Sequence, residues 1–470
     1  MISFGTGGWR AVIGEDFTKA NIQKLAKAVA IKMKNEGVAE KGMVIGYDRR
    51  FLSKEAMQWA GVVFAKEGIT TYLINRSSPT PLIMFYVMKH EFPYGMMITA
   101  SHNPAIYNGI KVFTSGGRDA DEQQTKDIEE YISHIEDKDV AGLDYDEAVK
   151  QGLIVEINPL NEYLDNIIAA VDMDKIRQRG LRIALDPMYG VSETSLKTIL
   201  LTARCDVMTI HERHDTLFGG KLPSPSVHTL RSLQNFVIDR GCDIGIATDG
   251  DADRIGVIDD TGRFLHPNDI LVLLYYYLVK YKGWHGAVVR NIATTHMLDK
   301  VAEKFGEKCY EVPVGFKHIS AKMQETNAVI GGESSGGLTV RGHIRGKDGI
   351  YAASLLVEMI AVTGKKLSEI AKDIEAECGE IHMEERDYKF NQEKKEQIYK
   401  TLMVEKELPE LPEEIKKISY LDGCKVYFKN GGWVIARFSG TEPLLRIFCE
   451  MPKEEDAKKI CCIYEEFLNL

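Results

Sequence analysis

Residues 96–104, with the sequence Met-Met-Ile-Thr-Ala-Ser-His-Asn-Pro, place a buried strand directly before a short polar loop. Two later stretches repeat this plan: apolar residues 244–247 precede a polar loop at 248–254, and residues 328–330 precede a loop at 331–337. Helical periodicity between such strands favours an α/β fold with a parallel sheet. Ligands of these sheets gather beyond the carboxyl ends of the strands, so we expect the chemistry in these loops.

The chain has 470 residues, enough for three or four domains. We predict three α/β units and a smaller C-terminal α+β unit, with boundaries at 1–145, 146–254, 255–375 and 376–470. In this division the acidic segment 136–146 is a linker, and the strand at 255–258 opens the third unit. Strands at 425–428 and 433–436 flank Asn430-Gly431-Gly432, a hairpin signal in the last unit.

The composition favours a folded soluble protein and argues against some classes of partner. Hydrophobic residues make up 44% of the chain and charged residues 27%, as in ordinary folded soluble proteins. The net charge of −10 argues against nucleic acid or anionic membrane as a partner. The eight cysteines form no CxxC pair, the N-terminus lacks a signal pattern, and the apolar run at 270–279 is too short to span a bilayer. These features predict a cytoplasmic protein with a small-molecule partner.

The first polar loop contains Ser101, a candidate nucleophile or phosphate carrier. A serine needs a base or a metal ion to become nucleophilic. His102 is its neighbour, but adjacent side chains usually point apart, so the sequence does not favour a Ser–His dyad. A capped turn without a chemical role explains the pattern of this loop equally well.

The second loop carries three alternating carboxylates, Asp249, Asp251 and Asp253. In an extended loop, period-two spacing turns all three to one side, where a cation must offset their repulsion. An incomplete set of oxygen ligands suits Mg²⁺. A solvated acidic turn is the alternative. An EF-hand is excluded, because Arg254 and Asp260 stand where that loop requires Gly and Glu.

The third loop offers Glu333 and Ser335 as hydrogen-bonding groups for hydroxyls. It also matches the G-x-S-x-G nucleophile elbow of serine hydrolases, with Ser334 as the nucleophile. That motif needs a helix directly after the serine. Residues 338–340 are predicted to form a strand, so a hydrolase is the disfavoured interpretation.

A fourth polar segment, at 437–443, joins guanidinium, hydroxyl and glycine amide groups that could cradle a phosphate. The candidate phosphate ligands are Arg437, Ser439, Gly440, Thr441 and Arg446. A hairpin with a surface ion pair is the alternative. Taken together, the four segments fit phosphoryl transfer on a sugar phosphate.

These motifs resemble those of the α-D-phosphohexomutase superfamily, which includes phosphoglucomutases and phosphomannomutases. Residues 4–10, Phe-Gly-Thr-Gly-Gly-Trp-Arg, resemble its opening loop, and Asp48 and Arg50 match its next polar motif. The serine, triple-aspartate, G-E-x-S and R-x-S-G-T-E-P segments then follow in the family's order. The resemblance covers essentially the whole chain.

The resemblance implies three similar α/β domains and a smaller α+β domain around a deep central cleft. It implies that Ser101 carries a phosphate and that Mg²⁺ binds to Asp249, Asp251, Asp253 and that phosphate. A hexose 1,6-bisphosphate, glucose 1,6-bisphosphate for the glucose enzyme, would be the intermediate and activator.

The resemblance also assigns further roles. Lys111 matches the candidate acid/base, which requires its pKa to fall beside cations such as Arg10 or Arg254. Glu333 and Ser335 would bind the sugar's 3- and 4-hydroxyls, and the fourth segment would hold the non-reacting phosphate. The predicted catalytic residues are Ser101, Lys111, Arg10, His102 and Arg254, and the predicted further substrate contacts are Lys317, His343 and Lys347.

We predict the preferred sugar from one position at which this sequence departs from the pattern of the family. Many members that act on both glucose and mannose phosphates carry His where this chain has Gly337, and residues 343–349 resemble the H-I-R-x-K-D-G segment of dedicated phosphoglucomutases. We therefore predict glucose phosphate as substrate, with a phosphomannomutase or dual-specificity enzyme as the alternative. A phosphoglucosamine mutase is less favoured, because that branch usually has a different G-E-x-S loop. A sugar-phosphate-binding protein without catalysis is a remote alternative, and the oligomeric state stays open between monomer and homodimer.

Overall fold

The structure is a computed structural model that describes residues 2–5, 7–136, 138, 140, 142–438 and 444–470. Its strands form four sheets that follow one another along the chain. The predicted phosphate ligands Ser439, Gly440 and Thr441 lie outside the described residues.

The first sheet has the strand order β1-β5-β4-β2-β3-β7, with β6 beside β5. Its strands are β1 (Trp9–Val12), β2 (Met43–Tyr47), β3 (Thr71–Ile74), β4 (Tyr94–Ile98), β5 (Tyr107–Thr114), β6 (Arg118–Asp119) and β7 (Ile154–Ile157). Its helices are α1 (Lys19–Asn35), α2 (Ser53–Lys66), α3 (Thr80–Lys89), α4 (Glu122–Ser133) and α5 (Tyr145–Lys150). Because β7 pairs in parallel with β3, this unit continues beyond the predicted boundary at residue 145.

The second sheet has the order β12-β11-β10-β8-β9. Its strands are β8 (Arg182–Asp186), β9 (Asp206–Thr209), β10 (Ile244–Thr248), β11 (Ile255–Ile258) and β12 (Phe264–Leu265). Helices α6 (Leu160–Ala170), α7 (Met173–Arg179), α8 (Ser192–Thr202) and α9 (Arg231–Arg240) accompany it. The prediction that the strand at 255–258 opens the third unit is wrong, since β11 pairs antiparallel with β10.

The third sheet has the order β14-β13-β15-β16. Its strands are β13 (Val288–Asn291), β14 (Cys309–Val312), β15 (Ile330–Gly332) and β16 (Leu338–Val340). Its helices are α10 (Pro267–Lys280), α11 (Met297–Lys304), α12 (Phe316–Thr326), α13 (Gly349–Thr363) and α14 (Leu367–Cys378).

The fourth sheet is antiparallel, in the order β17-β21-β20-β19-β18. Its strands are β17 (His382–Lys389), β18 (Ile415–Ser419), β19 (Cys424–Phe428), β20 (Trp433–Phe438) and β21 (Leu444–Met451). Helix α15 (Gln392–Tyr399) continues into a π-helical turn (Lys400–Glu405), and α16 (Glu454–Leu468) covers one face. Each of the first three sheets mixes parallel and antiparallel pairs. The predicted parallel arrangement holds for the runs β4-β2-β3-β7, β10-β8-β9 and β14-β13-β15, and antiparallel strands extend each sheet on its other side.

Packing holds the four units in a fixed relation. One hydrophobic core runs through the first three units and includes Phe85, Leu196 and Leu271. A smaller cluster joins Ile292 of the third unit to Trp433 of the fourth. Within the described ranges, no helix is both long enough and apolar enough to cross a membrane. This packing brings the loops at the strand ends of different units into contact.

Candidate active site

Ser101 lies just beyond β4 in the left-handed backbone region, with φ 53°, and only 1% of its surface is exposed. Its hydroxyl donates to Asp249 Oδ2 at 2.9 Å and lies 3.3 Å from His102 Nδ1. The expectation that the serine and histidine side chains point apart is wrong, because the left-handed turn at Ser101 brings them together. The hydroxyl therefore lies between a carboxylate and an imidazole.

The three aspartates converge on one point. One carboxylate oxygen from each of Asp249, Asp251 and Asp253 lies within 4.8 Å of the other two, and all three side chains are buried. The loop is turned, not extended: Ala252 has φ 60°, and its backbone N donates to Asp249 O at 3.1 Å. The spacing predicted the cluster, but a turn produces it.

Cations and hydroxyls surround this cluster. Lys111 Nζ donates at 2.7 Å to Asp251 Oδ2 and at 2.7 Å to Asp253 Oδ2, and Lys347 Nζ lies 3.0 Å from Asp253 Oδ2. Thr80, which the sequence analysis missed, donates to Asp251 Oδ2 at 2.5 Å. Oδ1 of Asp251 and Oδ1 of Asp253 are buried without a hydrogen-bond partner among the described residues. Clustered carboxylates with oxygens that accept no hydrogen bond fit a hard divalent cation.

Neighbouring charges set the protonation of the aspartates. The pKa of Asp249 lies well above its ordinary value, because burial and the charges of Asp251 and Asp253 all oppose ionisation. Burial also raises the pKa of Asp253, but Lys111 and Lys347 outweigh it and bring that pKa well below its ordinary value. The cluster thus holds one carboxyl group that ionises with difficulty beside one that stays charged.

The pKa of Lys111 shifts in the direction opposite to the predicted one. Burial disfavours its ammonium form, but Asp251 and Asp253 outweigh burial and hold the Lys111 pKa above its ordinary value. The predicted fall in pKa beside Arg10 and Arg254 is therefore wrong for this arrangement, because the two carboxylates are the nearer charges. In this state Lys111 is a proton donor.

Basic groups line the Ser101 side of the site. Nε of Arg10 and Nε of Arg254 are buried without a hydrogen-bond partner within the described part of the chain. Burial, followed by the charges of Arg254 and Arg10, lowers the pKa of His102 far below its ordinary value, so its imidazole is neutral. Two guanidinium groups with donors to spare beside a buried serine suit the oxygens of a phosphoryl group.

Glu333 follows β15 and is held in one orientation. Its Oε1 accepts hydrogen bonds from Asn291 Nδ2 at 3.2 Å and Gly315 N at 3.0 Å. Ser335 is exposed in the same loop, and β16 begins at Leu338. A turn and then a strand therefore follow Ser334, in place of the helix that the hydrolase elbow requires.

Lys317 lies in the first turn of α12, a helix that the sequence analysis did not predict. Its Nζ is 3.6 Å from Glu122 Oε2 at the start of α4. These two helix starts border a cavity of about 350 Å³ that Arg118 and Asp119 also line. The family resemblance pointed to Lys317, but no motif in the sequence pointed to Arg118 or Asp119.

His343 and Lys347 occupy different environments. His343 is 7% exposed, and its Nε2 is 2.6 Å from Asp348 Oδ2 while its Nδ1 is 3.4 Å from Asn166 Nδ2. Both ring nitrogens are thus engaged, so the predicted substrate contact of His343 finds no free nitrogen. Lys347, by contrast, reaches the aspartate cluster.

Arg437 and Arg446 face each other across β20 and β21. Arg437 Nε lies 3.0 Å from Asp422 Oδ1, and Arg446 Nε lies 3.7 Å from Asp387 Oδ1. Like charges directly opposite each other in a sheet are destabilising unless a counter-charge joins them. Each arginine has a carboxylate at its Nε, and the rest of each guanidinium could share an anion.

Comparisons with known proteins agree with this arrangement. Four family models match in chain order: "Phosphoglucomutase/phosphomannomutase, alpha/beta/alpha domain I" at residues 1–139, domain II at 161–262, domain III at 266–378, and the "C-terminal domain" at 392–462.

Relatives and solved structures match over almost the full length. A "Phosphoglucomutase/phosphomannomutase" of Thermococcus kodakarensis is 29% identical over 97% of this chain and 96% of its own. A "Probable phosphoglucosamine mutase" of Methanothermobacter thermautotrophicus is 31% identical over 97% of this chain and 95% of its own. Among solved structures, a Thermus thermophilus protein whose crystal structure is described as that of a phosphomannomutase is 28% identical in sequence to this chain. Its TM-score is 0.85, and the match covers 100% of this chain and 99% of that chain. The chain therefore belongs to the phosphoglucomutase/phosphomannomutase family of the α-D-phosphohexomutase superfamily, and it is a mutase enzyme.

Proposed function

We propose that this mutase interconverts hexose 1-phosphate and hexose 6-phosphate through a phosphoserine at Ser101, with glucose as the principal sugar. The observation that carries the proposal is the 2.9 Å hydrogen bond from the Ser101 hydroxyl to Asp249, at the edge of the three-carboxylate cluster. A binding protein needs no buried serine beside a cation site. We also propose that the enzyme is located in the cytoplasm and is either a monomer or a homodimer.

We assign Mg²⁺ to Asp249, Asp251 and Asp253. The donor set fits, because carboxylate oxygens are the ligands that Mg²⁺ prefers, and Oδ1 of Asp251 and Oδ1 of Asp253 accept no hydrogen bond from the described residues. When bound, Mg²⁺ would offset negative charge on the transferring phosphoryl group. The buried guanidinium groups of Arg10 and Arg254 would contribute to the same charge balance from the chain's own side chains.

In the transfer step, the bond from phosphorus to Ser101 Oγ breaks while a bond from phosphorus to a sugar oxygen forms. The electron pair of the broken bond remains on Oγ, which gains one proton in exchange for the one that the sugar hydroxyl gives up, so the step as a whole neither releases nor consumes a proton. The sugar hydroxyl loses its proton, which we assign to Lys111. That role requires the Lys111 pKa to fall, as it must when a bound cation offsets the charges of Asp251 and Asp253.

The product of this step, a 1,6-bisphosphate, must turn over in the cleft so that its other phosphate faces Ser101. We assign the distal phosphate to Arg437 and Arg446, which lie opposite each other in the fourth sheet. Ser439, Gly440 and Thr441 are assigned to the same phosphate from their motif alone. Glu333, fixed by Asn291 and Gly315, would orient the sugar together with Ser335 and Lys317.

The glucose assignment has a steric basis. A Cβ at Gly337 would lie 2.2 Å from Lys347 Cδ, so a larger residue at position 337 and the observed position of Lys347 exclude each other. Glycine at 337 thereby permits the contact of Lys347 with Asp253. Gly337 and Lys347 of the H-I-R-x-K-D-G segment are therefore linked by packing. This link supports the glucose prediction, which rests on these two features together.

An amino sugar phosphate is the second candidate substrate, because several similar proteins are named phosphoglucosamine mutases. The test compares initial rates with glucose 1-phosphate, mannose 1-phosphate and glucosamine 1-phosphate, each with Mg²⁺ and a trace of the matching 1,6-bisphosphate. We expect the highest kcat/KM with glucose and full loss with a chelator. Faster turnover of mannose or glucosamine phosphate would overturn the sugar assignment, and turnover of none of the three would overturn the mutase assignment to hexose phosphates.

A further inference from the structure

We propose that Arg50 and Phe218 form a positioning pair that holds Ser101 against the aspartate loop. Arg50 fixes the backbone of the serine loop, and Phe218 of the second unit fixes Arg50. Neither residue touches the reacting atoms. The inference rests on the proposed function, since it explains how two loops from separate units are kept at a distance suited to phosphoryl transfer.

Arg50 gathers the carbonyl groups of the serine loop. Its Nη2 donates to Ser101 O at 2.7 Å and Asn103 O at 2.7 Å, and its Nη1 donates to Pro104 O at 2.9 Å and Tyr107 O at 3.0 Å. The Arg50 side chain is fully buried. Only the planar five-donor fork of an arginine can serve four convergent carbonyls from one buried side chain.

Asp48 completes the arrangement on the other side of Ser101. Its carboxylate accepts from Thr99 Oγ1 at 2.6 Å, and Thr99 Oγ1 in turn accepts from Ser101 N at 2.8 Å. Asp48 also lies 3.3 Å from Arg50 Nε. Both peptide groups around Ser101 are therefore fixed, which explains how a residue with a side chain is kept in the left-handed region.

Phe218 comes from the second unit, where it begins a 3₁₀ turn (Phe218–Gly220). It is 1% exposed, and its ring centroid lies 4.9 Å from Arg50 Cζ. A guanidinium that stacks on an aromatic face in a buried site is held by both packing and electrostatics. Through its contact with Arg50, Phe218 thus helps to fix the serine loop relative to the second unit.

The aspartate loop packs on the same point. A Cβ at Gly250 would lie 2.8 Å from Ser101 O and 3.6 Å from Phe218 Cε1. The carbonyl that Arg50 Nη2 binds is therefore also the group against which the backbone of the aspartate loop rests. Movement of Arg50 would change the spacing between Ser101 and Asp249 without changing the groups that bind sugar.

The test compares Arg50→Lys and Phe218→Leu with Arg49→Lys as matched control. Arg49 also joins the first two units, through Glu212 O at 2.9 Å, but makes no described contact with the serine loop. For each folded variant, single-turnover transfer of phosphate from glucose 1,6-bisphosphate to Ser101 is followed by intact-protein mass, and the Kd for glucose 6-phosphate is measured by calorimetry.

We expect Arg50→Lys to slow phosphoryl transfer about 100-fold and Phe218→Leu about tenfold, while the Kd for glucose 6-phosphate stays within about twofold. We also expect a higher Mg²⁺ concentration for half-maximal activity in both variants and wild-type behaviour in Arg49→Lys. Should Arg50→Lys fail to fold, Phe218→Leu carries the test. Wild-type transfer rates in a folded variant, or an equal loss of ligand binding, would overturn the positioning role alone. A wild-type enzyme that takes up no phosphate would instead overturn the proposed function.

Discussion

At the scale of single residues, the site is an arrangement of buried charges that offset one another. Lys111 bridges Asp251 and Asp253, and Lys347 adds a second cation at Asp253. Charges removed from water at this depth are tolerated only when each has a partner. Oδ1 of Asp251 and Oδ1 of Asp253 accept no hydrogen bond from the described residues, which leaves both oxygens available to a cation.

Removing one carboxylate should weaken metal activation. We expect Asp251→Asn to raise the Mg²⁺ concentration for half-maximal activity about 100-fold, because a ligand matters at least as much as a group that orients one. Mg²⁺ titration of activity and calorimetry of Mg²⁺ binding would measure this. Asp259→Asn is the control, since Asp259 is buried and, among the described residues, the donors to its side chain are Thr261 and Arg263 of its own turn, with Thr261 N at 2.8 Å. An equal shift in both variants would contradict the assignment.

A side chain at position 337 should act through Lys347. We expect Gly337→His to lower kcat/KM for glucose 1-phosphate about tenfold and to raise the mannose-to-glucose activity ratio, because one displaced charged contact contributes on the order of 1.4 kcal/mol. Lys347→Met should give a similar loss with glucose. In a double-mutant cycle the two losses should not add. Additive losses would show that Gly337 acts by some other route.

At the scale of elements, the N-terminus of α13 is docked on the aspartate loop. Gly349 N donates to Ala252 O at 3.1 Å, and a Cβ at Gly349 would lie 2.6 Å from Arg254 O. Asp348 caps this helix by accepting from Ile350 N at 2.9 Å, and the same carboxylate is held by His343. Helix position and loop shape are therefore coupled.

Gly349→Ala should break this contact. We expect a loss of about 2 kcal/mol in unfolding free energy, the usual effect of forcing a methyl group against fixed backbone. Gly61→Ala in α2 is the control, because the nearest atoms to its Cβ would be the ends of the flexible side chains of Leu73, at 3.3 Å, and Ile154, at 3.8 Å, and because alanine favours a helix interior. Urea denaturation of both variants measures the difference. An equal unfolding free energy for Gly349→Ala and Gly61→Ala would contradict this expectation, because it would show that the aspartate loop moves aside without loss of stability.

The elements also show where prediction from the sequence succeeds and where it stops. Helix α1 was predictable, because Ile22, Leu25, Ala26, Val29 and Met33 recur at helical spacing, and the structure buries all five. Helix α12 was missed although Phe316, Ile319 and Met323 follow the same period, since Gly315 gives no capping signal. Strand pairing was the harder problem: a local pattern cannot tell which sheet residues 255–258 join. The side-chain partners of Thr80 and His343 depend on long-range packing and leave no local signal.

At the scale of the whole molecule, the junction of the third and fourth units contains a buried ionic network. Lys425 Nζ donates to Ile292 O at 2.6 Å and Glu311 Oε2 at 2.9 Å, and lies 3.1 Å from His296 Nε2. Arg290 Nη1 donates to the same Glu311 oxygen at 2.7 Å. Burial, followed by the charge of Arg290, lowers the pKa of Lys425 to about 7 and that of His296 to about 3.

His296 should make stability depend on pH. Its pKa is about 3 in the folded chain against an ordinary value of 6.5, so the unfolded chain binds a proton that the folded chain does not between these values. Stability is full above pH 6.5 and falls as pH drops through this window. Between about pH 7.5 and 5.5 we expect the wild type to lose about 1.4 kcal/mol more than His296→Gln.

Urea denaturation at both pH values would measure this difference. His285→Gln is the control, because the His285 side chain is 90% exposed. This variant should keep the pH dependence of the wild type. The same pH dependence in His296→Gln and wild type would contradict the role of the buried imidazole.

The mass of the enzyme through one catalytic cycle would test directly whether Ser101 carries the phosphate between substrates. After incubation with glucose 1,6-bisphosphate and Mg²⁺, we expect one added phosphoryl group on Ser101, lost again when glucose 1-phosphate or glucose 6-phosphate is supplied. Ser101→Ala should gain no phosphate and lose turnover while still binding glucose 6-phosphate. Full turnover in Ser101→Ala, or a phosphate carried on another residue, would contradict the account.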